Sequence, residues 1–365
     1  TEIVGIYLGN GVKQFMRGFT VLLMVLVGAV FIMGPAKILA GLTPESLTMT
    51  FWVWVVFVYY LLATMLPIDK IIGRLYPLFG FALLFMAIGL ISALFLKGYQ
   101  IPELSFTNFR NFHVDSEKFP VFPMMFIPIA CGAISGFHST QSPLMARCIT
   151  SETLGRSVFY GAMITEGVVA MIWAAIGMSF YGGIHELNTV MTEHQGNAAY
   201  LVNEISNSLL GRFGAVLALL GVVAAPITSG DTAFRSARLI VADFLNYKQG
   251  PIRNRIFIVI PLFAAGFFLT RVNFDIIWRY FAWSNQTLAT VVLWAITVYL
   301  AQNRKLFWIT LFPAVFMTAV TSTYLLFAPE GFSLPAAISY TTGIIIALSA
   351  LTLFLVFLNR IRKHA

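Results

Sequence analysis

The sequence predicts an all-α polytopic membrane protein with about ten transmembrane helices. Three observations carry that expectation. The 365 residues are 59% hydrophobic and only 10% charged, with a mean hydropathy of +0.84, whereas soluble domains carry about 25% charged residues. The apolar residues gather in stretches near the ~20 residues that a helix needs to cross a bilayer core of about 30 Å. Strand-type alternation is absent, which argues against a barrel. The same composition excludes a soluble globular domain and a disordered chain.

In chain order the candidate spans are 19–40, 50–66, 75–96, 121–137, 158–183, 211–230, 256–270, 281–301, 306–327 and 336–358. Alternation with the N-terminus inside sorts the connections. Inside segments then hold 16 basic and five acidic residues, and outside segments five basic and nine acidic. The positive-inside rule thus places both termini on the cytoplasmic side. Arg271 and Arg279 are the local exceptions. The formal charge of +8 is therefore topology, and no nucleic-acid partner is expected. Two connections carry helical patterns. Residues 231–247 place Phe234, Ala237, Val241, Phe244 and Leu245 on one face, which predicts an interfacial helix on the inner side. Residues 198–210 predict an outer helix through Leu201, Val202, Ile205 and Leu209.

Span 121–137 is the most informative. Seventeen helical residues cover about 25 Å, slightly short of a crossing, and Pro123, Pro128, Gly132 and Gly136 all weaken the helix. It runs into His138, Ser139, Thr140, Gln141 and Ser142. Ser142 before Pro143 reads as an N-cap followed by the first helical position, so a second short helix is expected over Leu144–Cys148. Two half-helices joined by polar unwound backbone are tolerated in a bilayer where they line a cavity or are buried in protein. A helix N-terminus favours an anion, so the expected ligand is a carboxylate. The competing reading is a helix that ends near Phe137 followed by a loop.

Glu166 lies near mid-depth in span 158–183. A carboxylate there costs several kcal/mol unless it is paired or protonated, which makes it either a proton carrier or a structural group bonded to a neighbouring helix. Thr228, Ser229 and Asp231 follow Pro226 and supply oxygen ligands for a hard cation, or cap the helix that follows. Asn285 and Gln286, in an apolar span after Trp278, Tyr280, Phe281 and Trp283, are interhelical glue or pore lining. Enzyme signatures are absent: there is no phosphate loop, no zincin motif and no nucleophile triad. Cys131 and Cys148 are not spaced as metal ligands. His185, Glu186, Glu193 and His194 read either as a metal site or as a solvated acidic loop, the latter being preferred; His113, His138 and His364 are scattered. Residue 1 is Thr, and Thr1 to Gln14 is not a signal peptide, consistent with a chain that begins inside a longer gene product.

The stretch CGAISGFHSTQSPLMARC (131–148) resembles the carbon starvation protein A family of bacterial inner-membrane transporters. GAMITEG (161–167), ITSGDTAFRSARLIVADFL (227–245), WRYFAWSNQTLA (278–289) and LPIDKIIGRLYP (66–77) agree with it, so the resemblance covers essentially the whole chain. It implies import of small carbon sources, pyruvate and peptides, in starvation. It also implies a leucine-transporter-like fold of two inverted five-helix repeats. Spans 19–40, 121–137, 211–230 and 281–301 would then be core helices three, six, eight and ten. Family members begin with a further segment of about two helices, including a Gly-Pro-rich broken helix. The resemblance implies that these N-terminal helices are missing here, and with them half of the substrate site.

The sequence thus predicts one transmembrane transporter domain over 1–365, a secondary active transporter and not an enzyme. Substrate contacts are expected from Gly136, His138, Ser139, Thr140, Gln141 and Ser142, with Asn285 and Gln286 behind them. Coupling is expected at Glu166, with Thr228, Ser229 and Asp231 as a cation site. The coupling ion is a proton first and sodium second, and no other cofactor is expected. The partners are a small-molecule substrate and the lipid bilayer. The competing class is a non-transporting membrane sensor or scaffold subunit.

Overall fold

The structure, a computed structural model, describes residues 2–65, 68–103, 105–108, 110–194, 196 and 198–363. Leu66, Pro67, the side chains of 68–75 and His364 lie outside the described residues. Fourteen α-helices follow in chain order: α1 (Glu2–Leu8), α2 (Asn10–Leu42), α3 (Met49–Met65), α4 (Ile68–Leu96), α5 (Phe126–Ala133), α6 (Gly136–Ala146), α7 (Gly161–Ser179), α8 (Ile184–Glu193), α9 (Ala198–Ala218), α10 (Ala224–Phe244), α11 (Ile252–Leu269), α12 (Phe274–Gln302), α13 (Trp308–Phe327) and α14 (Ala336–Lys363). No strand occurs among the described residues.

Among the described residues eight helical stretches are long and apolar enough to cross a bilayer. They are Asn10–Gly41, Tyr76–Leu96, Val121–Ala146, Glu152–Ser179, Ile252–Leu269, Phe274–Gln302, Trp308–Phe327 and Ala336–Ile361. The apolar helix α3 is shorter, at 17 residues. The expected span 211–230 is helical throughout and continues without a break at Gly230. It runs from the end of α9 through a π-type turn over Leu219–Val223 into α10. The outer helix expected over 198–210 is the first part of α9, which kinks at Gly211 with φ of 62°, a conformation that glycine adopts without strain.

Helix α10 corrects a second expectation. The helix placed at 231–247 begins at Ala224 and runs unbroken past Thr228, Ser229 and Asp231 to Phe244. Every residue from Gly230 to Arg238 is buried, so this stretch is not an interfacial helix with an exposed face. Amphipathic spacing places charges on one side but does not say whether that side meets water or protein. Neither Ser229 nor Asp231 caps a helix. The Thr228 and Thr232 hydroxyls donate to the carbonyls of Ala225 and Ser229, at 2.8 and 2.9 Å, and so turn back onto their own helix.

The chain divides into two compact units. One comprises Thr1–Leu23, Glu117–Arg147 and Asp275–Ala365. Its core joins Ile127 and Ala130 of α5 to Met317, Val320 and Tyr324 of α13, and α13 lies along α14. Tyr340 donates to the Phe122 carbonyl at 2.7 Å and stacks on its ring. Arg279, an exception to the charge rule, pairs with Glu330 at 3.6 Å.

The second unit comprises Met24–Ser116 and Cys148–Phe274. Met86, Leu90 and Leu94 of α4 pack with Ile176, Ile205 and Leu209. A second cluster gathers Ile32, Val56, Tyr60, Phe234, Val259 and Phe263. Its centre is the fully buried Phe234, stacked on Phe263 with ring centroids 4.2 Å apart. A Cβ on Gly28 would overlap the Phe234 ring, and one on Gly266 would lie 2.8 Å from it. The absent side chains are what admit the ring. Gly28→Ala is therefore expected to destabilise the protein by about 1–3 kcal/mol through overpacking. Adding Phe234→Leu should recover part of that loss, read as a positive coupling between the two sites in thermal unfolding of the single and double variants.

Candidate substrate and coupling sites

The broken span holds, but the break lies three residues before the polar run. Helix α5 ends at Ala133, Ile134 leaves helical geometry at φ −141° and ψ 73°, and Ser135 caps α6. His138, Ser139, Thr140, Gln141 and Ser142 all lie inside α6, and Pro143 is an interior residue of it. The expected N-cap at Ser142 and the short helix over 144–148 are thus corrected. The physical reason is that the partners of the break come from α12, about 150 residues away, where local pattern cannot register them.

Asn285 and Gln286 are both fully buried. Asn285 Oδ1 accepts the Phe137 N–H at 2.7 Å, and its Nδ2 donates to Ser135 Oγ at 3.0 Å and Cys131 Sγ at 3.6 Å. Gln286, with its amide oriented so that both ends are satisfied, donates to the Ile134 carbonyl and accepts from the Cys131 N–H, each at 2.9 Å. These two side chains bond the main-chain groups that the break releases, which is the work of interhelical glue. Gly136 is buried against the same helix. A Cβ there would overlap the Asn285 carbonyl and lie 2.9 Å from Leu288 Cβ.

The polar run occupies the first turns of α6 and is partly buried. Ser139 Oγ donates to the Gly136 carbonyl at 2.7 Å, Thr140 Oγ1 to Phe137 at 2.8 Å, and Ser142 Oγ to His138 at 2.7 Å. Gln141 Nε2 donates to Thr140 Oγ1 at 3.2 Å. The hydroxyl hydrogens are committed to the helix. Their oxygens keep lone pairs that accept from a donor.

The coupling candidates do not form one cluster. Glu166 lies on the exposed side of α7. That helix packs on α4 and α8, whereas α10 packs on α3, α4 and α11. Asp231 is buried in α10, and Arg235, one turn on, reaches it at 3.4 Å. Arg235 also donates to the Ala63 carbonyl at 2.7 Å. Tyr76 donates at 3.4 Å to Asp231 and to the Thr228 carbonyl, and Tyr60 to the Phe31 and Pro226 carbonyls at 2.8 and 3.2 Å. Arg235 stands on Asp231 where a coupling cation would have to bind. Arg238 is buried as well, with Nε and Nη1 lacking an acceptor among the described residues. The sequence reading missed Tyr60, Tyr76 and Arg235 as members of this cluster, although the Asp231–Arg235 spacing is the signature of a helical ion pair. Among the described residues no group of three or more His, Cys, Asp or Glu side chains is placed to hold a metal.

Residues 2–211 and 198–324 match the sequence profile of the family described as carbon starvation protein CstA. This chain is a member of that family. An uncharacterized membrane protein of Haemophilus influenzae is 37% identical over 227 residues, covering 49% of this chain and 61% of that protein. A Bacillus subtilis protein named peptide transporter CstA is 27% identical over 304 residues, covering 71% of this chain and 51% of that one. The pyruvate/proton symporter BtsT of Escherichia coli is 30% identical over 140 residues, 38% of this chain and 18% of BtsT. The chain thus spans between half and two thirds of the length of the Haemophilus influenzae and Bacillus subtilis relatives. No solved structure matches it significantly.

Two predictions follow from the bonds at the break and on α10. Asn285→Ala removes the shorter of the Phe137 N–H bonds, leaving the 3.3 Å bond to the Ser135 Oγ cap, and should cost about 1 kcal/mol in thermal unfolding, with faster hydrogen exchange at Phe137. Thr287→Ala, which loses a bond to its own helix only, should stay within about 0.5 kcal/mol. Asp231→Ala removes the carboxylate that pairs with buried Arg235 and should cost about 3–5 kcal/mol, most of it recovered when Asp231→Leu is combined with Arg235→Met.

Proposed function

We propose that this chain belongs to a secondary active transporter of the bacterial cytoplasmic membrane, importing a small carboxylate such as pyruvate, or a peptide, in carbon starvation. The observation that carries this reading is the interrupted helix α5–α6, whose break within an apolar span is bonded by Asn285 and Gln286. Non-helical backbone at membrane depth is costly and is a recurrent feature of transporter binding sites. The names of the Bacillus subtilis and Escherichia coli relatives support the substrate classes. The charge asymmetry of the connections supports cytoplasmic N- and C-termini. A leucine-transporter-like inverted repeat fits the same interrupted helix, with α2, α5–α6, the 211–244 region and α12 as core helices three, six, eight and ten.

On this reading the residues divide by role. His138 and Gln141 supply donors to a carboxylate. Ser139, Thr140 and Ser142, with their hydroxyl hydrogens turned onto the helix, supply acceptors to an amide or ammonium. Gly136, Asn285 and Gln286 position α6 and act on substrate through it. Glu166 carries the coupling proton. Thr228, Ser229 and Asp231 are the alternative site for sodium, but Arg235 already neutralises Asp231, which supports the proton.

Uptake of labelled pyruvate and of a labelled dipeptide into proteoliposomes, under separate pH and sodium gradients, tests the proposal. An acid-outside gradient should drive accumulation of one of them, a sodium gradient alone should not, and Glu166→Gln should abolish the gradient dependence. Uptake indifferent to both gradients removes the symport reading. Binding without uptake favours the sensor or scaffold.

A further inference from the structure

Helices α10 and α11 run antiparallel, joined by residues 245–251, and leave a groove of about 270 Å³ between them. Val241, Leu245, Phe257, Ile258, Pro261 and Leu262 line it. Its wall offers hydrocarbon and no hydrogen-bonding side chain. Leu245 and Phe257, at the end nearest the connection, are 49% and 66% exposed. The groove is therefore open at the end where the connecting loop is.

That loop is built and basic. Arg255 donates to the carbonyls of Gln249 at 2.7 Å, Gly250 at 3.4 Å and Met65 at 3.3 Å. Asn254 donates to the Lys248 carbonyl at 2.8 Å. Arg255 is thus spent on ordering the loop, while Lys248 on the loop and Arg253 in the first turn of α11 stand exposed. From Val241 to Leu262 there is one acidic residue, Asp243, against three basic ones.

We propose that this groove seats an anionic phospholipid, with an acyl chain along α10 and α11 and the phosphate on Lys248 and Arg253. The match is one of polarity along a single axis: hydrocarbon between the helices, cations at the open end beside the connection. Basic residues beside an apolar groove between membrane helices recognise anionic headgroups in this way. A peptide would be a poor occupant, because its main-chain N–H and C=O groups would meet no partner in the groove. The inference concerns a surface distinct from α6 and holds whichever substrate is carried.

The test uses the full chain in detergent, titrated with phosphatidylglycerol, with phosphatidylcholine of the same acyl chains, and with inorganic phosphate. Thermal unfolding and native mass spectrometry are the readouts. Phosphatidylglycerol should raise the unfolding midpoint at least about 3 °C more than phosphatidylcholine and remain as a bound lipid. Lys248→Gln with Arg253→Gln should lose that excess, and Lys248→Arg with Arg253→Lys should keep it. Leu245→Trp, which fills the open end of the groove, should weaken the response to both lipids. Equal stabilisation by the two lipids, an undiminished excess in the charge-neutral variant, or an equal shift from inorganic phosphate alone would each overturn the proposal.

Discussion

Inside a bilayer a main-chain N–H or C=O has no water to bond, so every group that a helix releases must find a partner within the protein. The break between α5 and α6 meets that constraint through two adjacent side chains of α12. Asn285 takes the Phe137 N–H, and Gln286 takes the Ile134 carbonyl. The rest of this unit's polar geometry follows from that arrangement. Gly136 must lack a side chain because α6 starts against the Asn285 backbone. The serine and threonine hydroxyls of α6 lie in continuous helix because the interruption occurs before them.

The second unit meets a related constraint on charge at Arg235 but not at Arg238, whose Nε and Nη1 lack an acceptor among the described residues. A buried arginine is costly unless it is paired. Arg235 has Asp231 and the Ala63 carbonyl, and the half-buried Arg255 has Met65 and the loop carbonyls. Ala63 and Met65 lie in the last turn of α3, whose carbonyls lack helical partners and which is the negative end of the helix dipole. Two arginines from α10 and α11 thus cap α3 and bind three helices together. Tyr60 and Phe234 pack around glycines on neighbouring turns, and a Cβ on Gly230 would overlap the Tyr60 hydroxyl. The polar stripe of α10 was legible as charges with helical spacing, but its burial was not.

The two arginines that depart from the charge bias both have close neighbours. Arg279 pairs with Glu330, and Tyr280 donates to the Glu330 carbonyl at 2.7 Å. Arg271 lies over the Phe267 ring, 5.0 Å from its centroid.

The sequence by itself determined the all-helical membrane class, the positions of most long apolar helices, that the helix entering at 121 is interrupted, and the family. Hydrophobic length, charge bias and Pro/Gly placement are local quantities, and each can be read along the chain. The tertiary structure decided where the helix breaks, that α10 is buried through its charged turns, and that Asn285 and Gln286 bond the break. Those outcomes depend on which distant residues come within about 3 Å of one another, a distance over which hydrogen bonds form. Asn285 and Ser135 are 150 residues apart in sequence, and no periodicity relates them.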